Sequence, residues 1–150
     1  MRALLPLLAC LLGGCSTTMQ LPADFLQLRG ESGFKSVTAD DARVWIREFA
    51  DPNEGKLEFW TESLDRDLAG QRGYAPVGKG EVKDADGRAG RWLEYSANVR
   101  GEKVGYLIAV FVLDKSLLRQ QHVRVVEFSA REAVYAARVA AVRAALATVH

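Results

Sequence analysis

Chemistry in this chain starts with sulfur. Cys10 and Cys15 are its only thiols, and a thiol is the strongest side-chain nucleophile available near neutral pH. Cys15 follows Leu12-Gly13-Gly14. Two glycines let an extended backbone enter an enzyme's cleft without side-chain clashes. Ahead of Cys15, Met1-Arg2 supplies one positive charge and Ala3 to Leu12 run ten residues without another. That is too short to cross a hydrocarbon core as a helix, which takes about 20 apolar residues. It is the length of the apolar middle of a secretory leader.

Leu12-Gly13-Gly14-Cys15 resembles the lipobox of bacterial lipoproteins: aliphatic, small, small, cysteine. The resemblance implies that residues 1–14 are a signal peptide. It also implies that the Cys15 thiol receives a diacylglyceryl group and that the amine freed by cleavage is acylated. Cys10, after Leu7-Leu8-Ala9, formally fits as well, but its apolar segment is about half as long, so processing is placed at Cys15. An ordinary secreted protein is the competing reading. One acyl chain binds a membrane marginally, whereas two or three hold firmly. Residues 15–24 then form the lipidated N-terminus and a short tether, in which Ser16 to Asp24 extend at most about 30 Å. Ser16, with no Asp in its place, follows the cysteine. By resemblance to Gram-negative lipoproteins this implies the periplasmic face of the outer membrane.

The remaining reactive residues are scattered. His122 and His150 are the only histidines, and a zinc site takes three or four ligands, so no metal is expected. Asp40-Asp41 and Asp84-Ala85-Asp86-Gly87 read as turns. The second has a calcium-loop flavour without the rest of that pattern. Ser32-Gly33 reads as a turn and Ser129 as a helix cap. Phosphate-binding, dinucleotide-binding and nucleophile-elbow motifs are missing from the sequence, so neither catalysis nor a cofactor is expected. One cluster stands apart: Trp45 between Arg43 and Arg47, on one face of a strand. Tryptophan and arginine are enriched at interface hot spots, which makes this a candidate interaction surface. The plainer expectation is a tryptophan packed under a helix, with arginine stems covering it. Trp60 and Trp92 are expected in the core.

Charge and cysteine count narrow the class further. Removing the leader takes Arg2 and leaves 19 basic residues against 19 acidic ones. A neutral chain lacks the electrostatic footprint of a nucleic-acid binder. Only the lipidated cysteine remains after processing, so the fold has no disulfide framework and must rest on its core. That is feasible at this length.

The elements that position these residues can be read from periodicity. Phe25 to Arg29 and Phe34 to Val37 are short strands around a turn at Gly30 to Gly33. Ala42 to Phe49 is a strand with Val44 and Ile46 facing one way and Arg43, Trp45, Arg47 and Phe49 the other. Asp51-Pro52-Asn53-Glu54 is a helix-start signal, with Gly55 able to delay the start. Leu57, Trp60, Leu64 and Leu68 form one apolar stripe, ended by Gly70 or Gly73. Strands follow at Gly80 to Asp84, Arg91 to Val99, Val104 to Leu113 and Val123 to Phe128. Val104 to Leu113 lacks a wet face, which places it mid-sheet and covered on both sides. Asp114 to Gln121 reads as a polar loop. Ser129-Ala130-Arg131-Glu132 reads as a capping box for a closing helix to about Thr148, with its stripe on Tyr135, Val139, Val142, Leu146 and Val149.

This order predicts an α+β fold: a mostly antiparallel sheet of six to seven strands with one helix on each face. Over residues 25–150 it resembles the Mog1/PsbP-like α/β/α sandwich, and the small bacterial lipoproteins of the DcrB-like kind within it. The resemblance rests on element order, on Phe34-Lys35-Ser36-Val37 and Trp45-Ile46-Arg47-Glu48-Phe49 before the Leu57–Leu68 helix, and on Arg72-Gly73-Tyr74 after it. It implies an accessory or binding module. The leading expectation is a non-enzymatic, membrane-anchored envelope lipoprotein that binds a protein partner. The alternative is a carrier of a small apolar ligand or lipid in a pocket between sheet and helix. A hydrolase whose residues converge only in space is a third.

Overall fold

The computed structural model describes residues 17–29 and 33–150. Cys15 and the leader lie outside the described residues. Three strands come first: β1 (Leu26–Gln27), β2 (Phe34–Val37) and β3 (Arg43–Ala50). Helix α1 (Leu57–Asp65) runs on into a π-helical turn, Arg66–Gln71. Then come β4 (Ala75–Lys83), β5 (Ala89–Val99), β6 (Glu102–Leu113) and β7 (His122–Arg131). Helix α2 (Glu132–Ala145) closes the chain with a final 3₁₀ turn, Leu146–Thr148. The seven strands form one sheet in the order β1-β2-β3-β7-β6-β5-β4, and every neighbouring pair is antiparallel. The expected α+β class, with a helix on each face, is the observed one.

β6 explains why two helices are needed. On one face Leu107, Ala109, Phe111 and Leu113 are buried with Tyr135 and Val142 of α2, Leu146 of its final turn and Val149 just beyond. On the other, Ile108 and Val110 are buried with Leu93, Val125 and Leu68, and Leu57, Trp60 and Leu64 of α1 pack against them. α2 lies close to the sheet because Gly105 has no side chain: a Cβ there would meet the Tyr135 ring at 2.1 Å. Trp92 is half-buried against the α2 side, with the Arg143 guanidinium 4.3 Å from its ring centroid. Trp60 is half-buried against the α1 side.

Four expectations need correction. Ser129 is not a helix cap. Register with Arg43 and Tyr106 keeps it in β7, which continues to Arg131; the strand pairs there with β6, and the ladder outlasts the local capping signal. Asp51 does not cap α1, which begins six residues later. Its carboxylate instead accepts from the backbone of Asn53 (3.1 Å) and Gly55 (2.8 Å), from Trp60 Nε1 (2.9 Å) and from Gln121 Nε2 (3.1 Å). Asp51 thus closes the loop ahead of the helix and ties it to the start of β7. The strand expected at Gly80 begins earlier, at Ala75, and has a register shift between Pro76 and Gly78. Such an irregularity, with the charges of Lys79, Glu81 and Lys83, suits an unpaired edge. Finally, the 114–121 loop is not polar throughout: Leu117 and Leu118 stand fully exposed at its tip.

Candidate functional site

Two helices cannot cover both faces of seven strands. α2 packs on β6 and β7 and α1 on β5 and β6. α1 meets β3 at its far end, where Phe49 and Trp60 rings lie edge to face at 5.4 Å. The rest of β2 and β3 on the α1 side is left open, and strand alternation puts Lys35, Arg43, Trp45 and Arg47 there, since Lys35 pairs with Trp45. The face forms a groove of about 680 Å³ that runs from Leu28, just after β1, to Tyr106 of β6, floored by Trp45.

Trp45 is not packed under a helix, the plainer of its two expected roles. Its ring is held between cations: Lys35 Nζ lies 4.6 Å and Arg47 Cζ 4.5 Å from the ring centroid. Each such contact contributes about 0.5–1 kcal/mol when exposed. Arg47 is oriented by Glu127 at 2.8 Å, and Glu127 accepts from the Tyr106 hydroxyl at 2.5 Å. Burial, reinforced by the Glu127 charge and hydrogen bond, pushes the Tyr106 hydroxyl well above the ordinary phenol range, so it stays a donor. Tyr106 also meets Tyr74 edge to face at 5.9 Å, which makes it the wall between the open groove and the part of the sheet under α1.

Arg43, at the groove's other end, pairs with Asp41 at 2.8 Å, both side chains exposed. The turn carrying Asp41 is pinned from behind. Thr38 accepts from the Ala42 backbone at 3.0 Å and donates to Asp40 at 2.5 Å, and Arg138 of α2 reaches Asp40 at 2.8 Å. The Thr38 hydrogen bond first, then Arg138, hold the Asp40 carboxyl below the usual range. At the rim, Gly33 adopts φ +77°, and a Cβ there would meet the Ile46 carbonyl at 2.7 Å. Trp45 Nε1 is buried beneath it without a hydrogen-bond acceptor among the described residues.

The groove therefore carries Lys35, Arg43 and Arg47 against Asp41 and Glu127, around an aromatic floor. It can bind an anionic or aromatic group by charge and stacking. The three residues singled out in the sequence do share this surface. Lys35, Tyr106 and Glu127 were not foreseen. Glu127 had a signal, being the one acidic residue inside the apolar run Val123 to Phe128.

A second groove, of about 640 Å³, lies beside β4 and is lined by Asp65, Lys79, Glu81, Arg91, Trp92 and Tyr95, among others. Both grooves open to solvent. The histidines stay apart: His122 Nδ1 lies 2.8 Å from the Gln120 carbonyl oxygen, and His150 meets Thr18. Among the described residues no three His, Cys, Asp or Glu side chains converge as metal ligands, and no helix is long and apolar enough to cross a membrane.

Two solved structures share this fold. LpqN, involved in cell envelope biogenesis of Mycobacterium tuberculosis, matches with a TM-score of 0.67 over 91% of this chain and 86% of its own, at 14% identity. PA94, a Pseudomonas aeruginosa protein of unknown function, matches with a TM-score of 0.55 over 83% of this chain and 94% of its own, at 11% identity. At these identities the likeness is one of fold. Neither a protein-family model nor a curated protein sequence matches this chain.

Proposed function

We propose that this chain is a lipid-anchored envelope module, non-enzymatic, that binds a protein partner through the Trp45 groove. The observation that carries the reading is the open sheet face, where three cations and a tryptophan are held in place by ion pairs and ring contacts rather than covered by a helix. Arginine and tryptophan at a half-desolvated, pre-oriented site favour a partner bearing carboxylates or aromatic rings. The Leu-Gly-Gly-Cys15 segment supports the anchor, and the shared fold of LpqN, a cell-envelope biogenesis protein, is consistent with an envelope role. The element order resembles that of Mog1/PsbP-like domains, a resemblance that supports an accessory role. A carrier of apolar ligands is the weaker reading, because both grooves are open and lined by charged side chains.

The test has two arms. Cells expressing the chain are labelled with palmitate, and wild type is compared with Cys15→Ser; palmitate label and removal of the leader are expected in wild type and lost in the variant. Envelopes are then solubilised, and the proteins recovered with wild type are compared with those recovered with a Trp45→Ala, Arg47→Glu double variant. A species recovered with the first and lost with the second is expected. Identical recovery from both would contradict the groove as the binding surface.

A further inference from the structure

The β6–β7 loop ends in two leucines that touch little of the protein. Leu117 and Leu118 are as exposed as residues can be, at 104% and 99%. The tip is shaped: Ser116 N donates to the Arg119 carbonyl at 2.8 Å and Arg119 N returns to Ser116 at 3.3 Å, so a two-residue turn thrusts both leucines outward. Its base is braced by Lys115 on Glu54 at 2.5 Å and by Arg119 on Glu48. Glu48 is also where the N-terminal segment enters the domain, since the Thr17 hydroxyl donates to it at 3.2 Å. One carboxylate therefore holds both the leucine tip and the residue two positions after Cys15. Two residues span at most about 7 Å.

We propose that Leu117 and Leu118 insert into the lipid surface to which acylated Cys15 would attach, forming a second contact that fixes how the domain stands. The inference rests on the lipid-anchor reading above. The chain's exit toward Cys15 is at this end of the sheet, and a doublet of exposed leucines suits the acyl–headgroup boundary. Lys115 and Arg119 flank the doublet, with side chains 63% and 48% exposed while paired to Glu54 and Glu48, which leaves donors facing the lipid phosphates. The opposite end of the sheet carries the Val99-Arg100-Gly101-Glu102 and Asp40-Asp41 turns. With the leucine end down, the strands stand off the bilayer and the Trp45 groove opens sideways.

The test uses the full chain, lipidated in cells. Once the leader is removed and Cys15 acylated, Leu118→Cys supplies the only free thiol, and Glu102→Cys supplies one at the far end as control. Each is labelled with an environment-sensitive nitrobenzoxadiazole dye and reconstituted into phosphatidylethanolamine–phosphatidylglycerol vesicles. Acylation is read by mass spectrometry and vesicle binding by flotation. The expected result is blue-shifted emission at position 118, quenched at least twofold by doxyl-labelled lipids, with water-like, unquenched emission at position 102. An acylated, floating chain with water-like emission at both positions overturns the inference and leaves the anchor standing. A chain without acyl groups overturns both. A blue shift at 118 that is insensitive to doxyl lipid and grows with protein density assigns the leucines to a second copy and overturns the lipid contact.

Discussion

The two halves of one sheet face follow the same pleat to opposite ends. Under α1, Leu93, Ile108, Val110 and Val125 are almost fully buried. A few ångströms away, on the same face, Trp45 is half-buried and Arg43 and Arg47 are exposed. Both halves alternate, and both are closed on the reverse side by one core in which α2 is joined by Met19 and Phe25 of the N-terminal segment, so that Val44 and Ile46 are as buried as Val126 and Phe128. The difference is the reach of α1, nine residues long before its final π-helical turn. The covered half supplies the hydrophobic stabilisation, and the open half retains side chains whose energetic contribution to the fold is small. Stability and recognition are thus divided along the line of Tyr106 and Glu127.

That division can be broken from either side. Ile108→Ala, in the covered half, is expected to lower unfolding free energy by about 2–5 kcal/mol, measured by urea denaturation. Trp45→Ala, in the open half, is expected to cost only about 1–2 kcal/mol, the scale of its two cation–ring contacts, in the same assay. Equal losses would mean that the open face is core.

A pH titration sharpens the boundary at the end of β3. Burial alone would raise the Glu48 carboxyl, but the charges of Arg124 and Arg119, with hydrogen bonds from Arg124 and Thr17, hold it below its ordinary value of 4.5. A carboxyl whose pKa is lower in the folded chain stabilises above the unfolded value and loses that contribution as pH falls through the folded one. The stability gap between wild type and Glu48→Gln is therefore expected to be present at pH 7 and to shrink below about pH 4.5, read from thermal melts across that range. The smallest effect is expected at the exposed tip: Leu117→Ser with Leu118→Ser should change stability in solution by no more than about 0.5 kcal/mol.

Much of this architecture was legible because period-2 and period-3.6 patterns are set by burial, and burial is strong here. Val104 to Leu113 announced a strand covered on both sides, and the Tyr135, Val142, Leu146 stripe announced the helix on one of them. Ser129 misled because its local capping signal competes with a ten-residue ladder against β6. Asp51 misled because its carboxylate serves Trp60 and Gln121, partners 9 and 70 residues away. The Arg43, Trp45, Arg47 cluster was visible in the sequence, but whether a helix covered it depends on where α1 crosses the sheet. Lys35 and Glu127 joined the site through strand pairing with Trp45, which no local pattern encodes.

The most direct test of the division is photo-crosslinking in living cells. Benzoylphenylalanine is placed at Arg43, in the open half, and at Lys83, at the end of the β4 edge and outside the groove. The account predicts a discrete protein adduct from position 43 that disappears on adding Arg47→Glu, and none from position 83. Adducts of equal yield from both positions, or an adduct at 43 indifferent to Arg47, would contradict it.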